Sequence, residues 1–259
     1  MTTQRKDQIH ALLKGIETGD EAAVAVISPV QYIQHNPETH EGREGLAALF
    51  KRLSQSAPRV NLARTFSDGD YVFAHTEYDF SRRRIGFEVF RFEGDLTVEH
   101  WDNIQSRQDA NASGHSMIDG ATEVTDRDKT EANRALIQSF INDVLITAQA
   151  EQLDTLLARY INTKQYTEHS PDFSDDIQAL RLALTASDSN SGIRLNYQHL
   201  HRLLAEGNFV LSVCEGHRNG IHTSFYDLYR IENSQIVEHW DTTEAVPALD
   251  TWKNDNGKF

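Results

Sequence analysis

The chain has 259 residues and a formal net charge of −14, and hydrophobic residues make up 39% of it. This apolar content is sufficient for packed cores and too high for a disordered chain. The negative charge argues against nucleic acid and against an anionic membrane as partners, because both present negative phosphates. Cys214 is the single cysteine, which excludes an internal disulfide.

The first residues lack the apolar segment of a signal peptide. No run of about 18 apolar residues occurs anywhere in the sequence. We therefore expect a cytoplasmic protein.

Apolar residues at helical spacing open the sequence and reappear in its second half. Helices are predicted within residues 4–27 and 130–161, where Leu136, Phe140 and Val144 recur every four residues. Each region is followed by a turn and a short helix, at Asn36-Pro37 with 42–53 and at Ser170-Pro171 with 175–184.

Runs rich in Val, Phe, Tyr and Leu come next, at residues 71–80, 86–92 and 96–104, and predict strands. Turn-forming residues at 93–95, and again at 232–234, predict a hairpin between the last two strands of each set. Helices followed by antiparallel strands indicate an α+β fold, with the helices on one face of a curved sheet.

Several sequence patterns occur twice. Val-Glu-His-Trp-Asp is present at 98–102 and 237–241, and Tyr-x-x-His-x-Pro is present at 32–37 and 166–171. Such repetition predicts two homologous domains. We place them at residues 1–108 and 128–253, separated by a linker at 109–127 that is rich in small and polar residues.

These motifs, together with Gly-Arg-Glu-Gly at 42–45, resemble the SnoaL-like branch of the nuclear transport factor 2-like superfamily. That branch contains polyketide cyclases and predicted aldol-condensation enzymes. The resemblance implies two cone-shaped barrels, each a curved, mostly antiparallel sheet wrapped on N-terminal helices around an apolar pocket that uses no cofactor. Many relatives dimerise through the convex face of the sheet. The two copies are therefore expected to pair as an intramolecular pseudo-dimer. Assembly of whole chains into a homo-oligomer is an alternative that the sequence leaves open.

The hairpins carry the main catalytic candidates. His100 and Asp102 share one face of a strand because side chains alternate, and His239 and Asp241 do the same. The resemblance implies that Asp102 and Asp241 act as acid and base. Their partners across the hairpin are predicted to be Glu88 and Asp227.

Three further histidines are candidates. His35 and His169 precede the turn prolines, where they either line the pocket or fix the turn. His75 is a candidate of the first copy alone, because Val213 takes its place in the second. In ketosteroid isomerases of the superfamily an aspartate precedes the proline, and Asn36 and Ser170 replace it here. This argues against that isomerase chemistry.

Aromatic residues beside these positions are expected to bind the substrate. They are Tyr32, Phe90 and Trp101 in the first copy and Tyr166, Tyr229 and Trp240 in the second. No known zinc spacing is present, so no metal is predicted. Glu88, Arg91 and Asp102 loosely resemble the set of the superfamily's epoxide hydrolases, but residues three apart on a strand point to opposite faces.

The expected function is general acid/base catalysis, without a cofactor, on a small apolar carbonyl compound. The reaction would be aldol condensation, cyclisation or isomerisation. The alternative is a non-catalytic protein of the same fold that binds a small molecule or acts as a scaffold. A cavity lined by His35, His75, His100 and Asp102 favours the enzyme, and a cavity filled with aromatic side chains favours the scaffold.

Overall fold

The computed structural model describes residues 2–186 and 192–259, and it divides into two compact units. Unit 1 consists of residues 1–107 and 246–259, and unit 2 consists of residues 108–245. Each unit combines helices with one five-stranded sheet, which confirms the predicted α+β class.

Unit 1 begins with a helix whose buried side chains are spaced by three and four residues. Ile9, Leu12, Leu13 and Ile16 lie on one face of it, which packs into the core. The helices and strands of this unit are α1 (Thr2–Thr18), β1 (Ile33–Gln34), α2 (Gly42–Ser54), β2 (Arg59–Asp68), β3 (Tyr71–Asp79), β4 (Arg83–Glu93) and β5 (Leu96–Ser106).

Unit 2 repeats this order with a divided first helix. A π-helical stretch at Ile141–Ile146 continues α3, and Ile137, Phe140, Ile141 and Val144 pack into the core. The helices and strands are α3 (Thr130–Phe140), α4 (Leu153–Tyr160), β6 (Thr167–Glu168), α5 (Gln178–Thr185), β7 (Leu195–Glu206), β8 (Phe209–Arg218), β9 (Ile221–Glu232) and β10 (Gln235–Ala245).

The two sheets have the same topology. Their strand orders are β1-β5-β4-β3-β2 and β6-β10-β9-β8-β7, with the two-residue first strand parallel to its neighbour and all other pairs antiparallel. In β4 and β5, Glu88 lies directly opposite Asp102, and in β9 and β10, Asp227 lies opposite Asp241. Directly opposed residues share a face, so each pair of carboxylates projects to the same side of its sheet.

The segment at 109–127, for which composition indicates a linker, belongs to unit 2. Asn111 Nδ2 donates to the carbonyl oxygens of Glu168 (2.6 Å) and Ser170 (3.2 Å), and Trp240 Nε1 donates to the carbonyl oxygen of Asp119 (2.9 Å). We call residues 108–127 the connector. Single side chains fix it to the unit, and composition does not reveal such bonds.

Residues 246–259, which we call the tail, belong to unit 1, although they follow the last strand of unit 2. The domain limits therefore differ from the predicted 1–108 and 128–253. Among the described residues, no helix combines the length and the apolar character needed to cross a membrane.

Candidate functional site

Unit 1 contains a cavity of about 80 Å³ between α1, α2 and one face of the sheet. Leu12 and Ile16 of α1, Leu46 and Phe50 of α2, and Phe90 of β4 contribute to its apolar wall. The polar side chains of the wall are Tyr32, Gln34, Asn36, Thr39, Tyr78, Glu88, His100 and Asp102. A mostly apolar pocket with a few converging polar groups is typical of a small-molecule site.

Four of these polar groups form a hydrogen-bonded chain. His100 Nδ1 lies 3.0 Å from Gln34 Oε1, and His100 Nε2 lies 2.8 Å from Glu88 Oε2. The hydroxyl of Tyr78 donates to Glu88 Oε1 at 2.7 Å. Gln34 Oε1 is an acceptor, so His100 donates through Nδ1. One proton is therefore shared between His100 Nε2 and the Glu88 carboxyl group.

Asp102 and Tyr32 each have a buried polar atom without a hydrogen-bond partner among the described residues. Asp102 is 4% exposed, and its Oδ2 accepts a hydrogen bond from Asn36 Nδ2 at 2.7 Å. Within residues 2–186 and 192–259, no group donates a hydrogen bond to Asp102 Oδ1, and the Tyr32 hydroxyl has no hydrogen-bond partner. Tyr32 is also 4% exposed. Buried polar atoms without a partner are costly, which makes these two candidates for contact with a ligand.

Both tyrosine hydroxyls of the cavity stay protonated. Burial, and then the negative charges of Glu88 and Asp102, raise the pKa of Tyr32 well above its usual range. Burial and the charge of Glu88 are the main causes that raise the pKa of Tyr78 in the same way. Each hydroxyl is therefore a hydrogen-bond donor at neutral pH.

His35 and Trp101 lie on the opposite side of the sheet from the cavity. Their rings stack with centroids 4.6 Å apart, and His35 Nε2 lies 2.9 Å from Glu99 Oε1. The expectation that they line the pocket is corrected here. Gln34 and His100, one residue away in each strand, take that place, because consecutive strand residues point to opposite faces.

His75 also lies on that opposite face, directly across from Phe87 in β4. Its ring centroid is 4.5 Å from that of Phe87, and its Nδ1 lies 2.6 Å from Arg64 Nη1. Its predicted role in the pocket is corrected as well. His75 is a fully buried residue of the sheet packing.

Unit 2 presents a related set of polar groups, in which Glu168 replaces Gln34. Its Oε2 accepts from the Tyr166 hydroxyl at 2.5 Å, and its Oε1 lies 2.8 Å from His239 Nδ1. His239 Nε2 lies 3.2 Å from Asp227 Oδ1, which also accepts from the Tyr197 hydroxyl at 3.2 Å. The tyrosine hydroxyl that is unpaired in unit 1 is therefore occupied in unit 2.

Aromatic side chains fill most of the corresponding space in unit 2. Two small cavities of about 20 Å³ each remain, both beside Asp227 and His239, and Tyr166 and Tyr229 line one of them. The rings of Tyr197 and Phe225 pack there, with centroids 4.3 Å apart. Each cavity is only a little larger than the roughly 10–15 Å³ that a single water requires.

Gly86 explains part of this difference, because it matches Phe225 in the repeat. A Cβ atom at position 86 would lie 2.6 Å from Tyr78 Cε2 and 2.8 Å from Glu88 Oε1. Glycine therefore leaves the room that Tyr78 needs to reach Glu88.

Burial and neighbouring charges also shift the pKa values of Asp241 and His239 in unit 2. Burial, with added repulsion from Glu168 and Asp227, raises the pKa of Asp241 to about 7, although His239 opposes the shift. Burial lowers the pKa of His239, but the carboxylates of Glu168 and Asp227 outweigh it and raise that pKa well above its usual range. Near neutral pH, His239 is a cation held between two carboxylates.

His169 and Trp240 repeat the arrangement of His35 and Trp101 on the opposite face. Their rings stack at 4.7 Å, and His169 Nε2 lies 2.9 Å from Glu238 Oε1. His169 Nδ1 lies 2.8 Å from Asp119 Oδ1 of the connector. Their predicted place in a pocket is corrected for the same reason of strand alternation.

Sequence reasoning missed four residues of the unit 1 site: Gln34, Asn36, Tyr78 and Lys258. Gln34 and Asn36 flank His35, so the Tyr-x-x-His-x-Pro pattern gave a weak signal for them. Lys258 lies outside both predicted domains, and its Nζ lies 3.5 Å from Asp102 Oδ1. Donor atoms of Glu88, His100 and Asp102 come within 4.8 Å of one another, but the adjacent ammonium is unfavourable for a cation there.

No protein-family model and no curated protein matches the chain. Among solved structures, TsrD from Streptomyces laurentii is similar at 20% identity over 39% of this chain and 88% of its own, with a TM-score of 0.35. An NTF2-like protein of unknown function from Burkholderia xenovorans is 16% identical over 42% and 89%, with a TM-score of 0.38. An LEH-like epoxide hydrolase from M. tuberculosis is 18% identical over 40% and 84%, with a TM-score of 0.35. At such identities the similarity concerns the fold and not a substrate.

Proposed function

We propose that unit 1 is a cofactor-independent enzyme that moves a proton next to the carbonyl group of a small, apolar, uncharged compound. One observation carries the proposal: Asp102 and Tyr32 both line the apolar cavity, and each has a buried oxygen atom without a hydrogen-bond partner among the described residues. A carboxylate and a protonated hydroxyl are the base and the hydrogen-bond donor that enolisation requires.

In this mechanism Asp102 Oδ1 accepts the proton from the carbon beside the carbonyl group. The electron pair of that C–H bond forms the C=C bond of an enolate, and the carbonyl electrons move onto oxygen. The Tyr32 hydroxyl donates a hydrogen bond to this oxygen, where the charge develops.

The enolate carbon then has two outcomes. It takes a proton back from Asp102 at a conjugated carbon, which is isomerisation, or at the same carbon after Asp102 has exchanged its proton with solvent, which is exchange. Alternatively, it attacks a second carbonyl carbon, the C=O π electrons move onto that oxygen, and the resulting alkoxide takes the proton from Asp102. This is the C–C bond-forming step of aldol condensation or cyclisation. The cavity of about 80 Å³ favours compact substrates for either outcome.

For unit 2 we propose a structural role. The two cavities beside Asp227 and His239, of about 20 Å³ each, are too small for a substrate, and Glu168 already accepts the hydrogen bond of Tyr166. The alternative of a non-catalytic protein of this fold is thereby assigned to the second unit.

Hydrogen–deuterium exchange at the α-carbon of small cyclic ketones in D₂O, followed by proton NMR, tests the proposal. The full chain should accelerate exchange over buffer, and Asp102→Asn should lower that rate by about 10²–10⁴-fold, the usual share of general-base catalysis. Asp241→Asn is the matched control and should keep the wild-type rate. An unchanged rate in Asp102→Asn would remove this residue as the base, and saturable binding without exchange would support a binding protein instead.

A further inference from the structure

Lys258 of the tail has its side chain buried against the proposed base. The residue is 2% exposed, and its Nζ donates to the carbonyl oxygen of Asp102 at 2.8 Å. The same Nζ lies 3.5 Å from Asp102 Oδ1, the carboxylate oxygen that accepts no hydrogen bond within the described ranges. A lysine is rarely buried to this degree unless its charge is paired.

The tail is anchored on the segment that also carries Gln34 and Asn36. The backbone N–H of Lys253 donates to the carbonyl oxygen of Pro37 at 2.8 Å. Asn254 Nδ2 donates to the carbonyl oxygen of Asn36 at 2.8 Å, and Asn256 Nδ2 donates to that of Gln34 at 3.1 Å. These bonds fix the backbone from which Lys258 reaches Asp102.

The groups that face Asp102 come from β3, β4, β5, the segment around β1 and the tail. Glu88 of β4 and His100 of β5 share a proton nearby, Asn36 donates to Oδ2, and the tyrosine hydroxyls remain neutral. Glu88 and His100 carry no net charge together when they share one proton, and the Lys258 ammonium favours the negative charge of Asp102.

We propose that Lys258 is a positioning residue of the unit 1 site, whose ammonium keeps Asp102 ionised and oriented as the base. The role of base rests on the proposed function, but the charge pairing does not. Asp241 in unit 2 shows the contrast. The charges that act on it come from His239, Glu168, Asp227 and Asp172, and burial raises its pKa to about 7.

Carboxyl ¹³C NMR titration of the full chain tests the pairing without any substrate. The signal that disappears in Asp102→Asn identifies this residue. In Lys258→Met the midpoint of that signal should rise by about one to three pH units, the usual effect of losing an opposite charge at this distance. Lys253→Met, which removes an exposed lysine of the same tail, should leave the midpoint unchanged.

Lys258→Gln separates charge from anchoring, because its amide still donates a hydrogen bond but carries no charge. The same upward shift is expected in this variant, which also serves if Lys258→Met does not fold. An Asp102 midpoint equal to wild type in either folded variant would overturn the proposal and leave Lys258 as an anchor of the tail.

Ketone exchange then distinguishes the two proposals. If Asp102 is the base, the acidic limb of the rate profile in Lys258→Gln moves up in pH together with the NMR midpoint. If the midpoint moves but Asp102→Asn exchanges ketones as fast as wild type, the proposed function fails and the pairing stands.

Discussion

Units 1 and 2 share one strand order and one His-Trp-Asp sequence, yet their interiors differ. In unit 1 the residue before the turn histidine is Gln34, and the Tyr32 hydroxyl is unpaired. In unit 2 the matching residue is Glu168, which accepts from the Tyr166 hydroxyl at 2.5 Å. One amide-to-acid difference thus separates a tyrosine that is available to a ligand from one that is occupied.

The second difference is steric. Gly86 leaves space in β4, and Phe225 fills the matching position in β9. The tyrosine that donates to the acid also comes from a different strand in each unit. In unit 1, Tyr78 of β3 donates to Glu88, and in unit 2, Tyr197 of β7 donates to Asp227 and lies opposite Gly216. The comparison teaches that the repeated motif preserves the sheet, while neighbouring positions decide whether a cavity remains.

The largest expected effect concerns the filling of unit 2. Phe225 is fully buried, so Phe225→Ala should lower the free energy of unfolding of this unit by about 3–5 kcal/mol through lost packing and a new cavity. Hydrogen exchange of β8, β9 and β10 in the full chain measures it. Ile221→Ala, at a position of β9 that is 58% exposed, is the control and should change little. A loss below 1 kcal/mol would mean that Phe225 does not hold the interior.

The second prediction concerns how the free energy of unfolding of Asp241→Asn depends on pH. The folded pKa of about 7 exceeds the ordinary value of 3.8, so the folded state binds the proton more tightly and loses stability as pH rises from 4 to 7. The variant should therefore gain unfolding free energy above pH 7, on the order of 4 kcal/mol, and match wild type below pH 4. The raised pKa of His239 has the same sign, because its stabilisation is also lost as pH rises.

Thermal unfolding between pH 4 and 8 measures this effect. Asp128→Asn, at an exposed position of the same unit, is the control and should follow the wild-type curve. A variant that loses stability at pH 8 would show that the Asp241 carboxylate is needed by its neighbours.

Gln34→Glu transfers the acid of unit 2 into unit 1. The new carboxylate should accept from the Tyr32 hydroxyl and lower ketone exchange by about 100-fold, the usual loss for one oxyanion donor. Tyr32→Phe should lose as much, and the double variant should lose no more than either. Glu168→Gln is the control in unit 2, with no change of rate expected. A wild-type rate of ketone exchange in Gln34→Glu would mean that the Tyr32 hydroxyl is not the hydrogen-bond donor to the substrate.

The sequence was informative where periodicity and repetition were strong. The α+β class followed from helices before strands, and the hairpin spacing placed Glu88 near Asp102, which the strand register bears out. The choice of face failed for His35, His75 and Trp101, because both faces of this sheet are buried. Phe87 and Phe90 point to opposite sides and are both buried, so no alternation marks the inside. The contact of Lys258 with Asp102 could not be predicted from sequence, because it depends on the tertiary structure that places the tail beside β5.

The smallest expected effect concerns the opposite faces of the sheets. His169 Nδ1 lies 2.8 Å from Asp119 Oδ1, whereas His35 Nδ1 lies 2.8 Å from the carbonyl oxygen of Gly257. The Asp119 side chain is half exposed, so solvent screens the pair, and Asp119→Ala should cost only about 0.5–1 kcal/mol. This loss of stability should be smaller in 1 M salt, because the Debye length is roughly 3 Å at that ionic strength. Thermal unfolding at both salt levels measures it, with Glu123→Ala of the connector as the control. A loss above 2 kcal/mol that salt does not change would mean that the carboxylate holds the connector through its hydrogen bonds rather than through its charge.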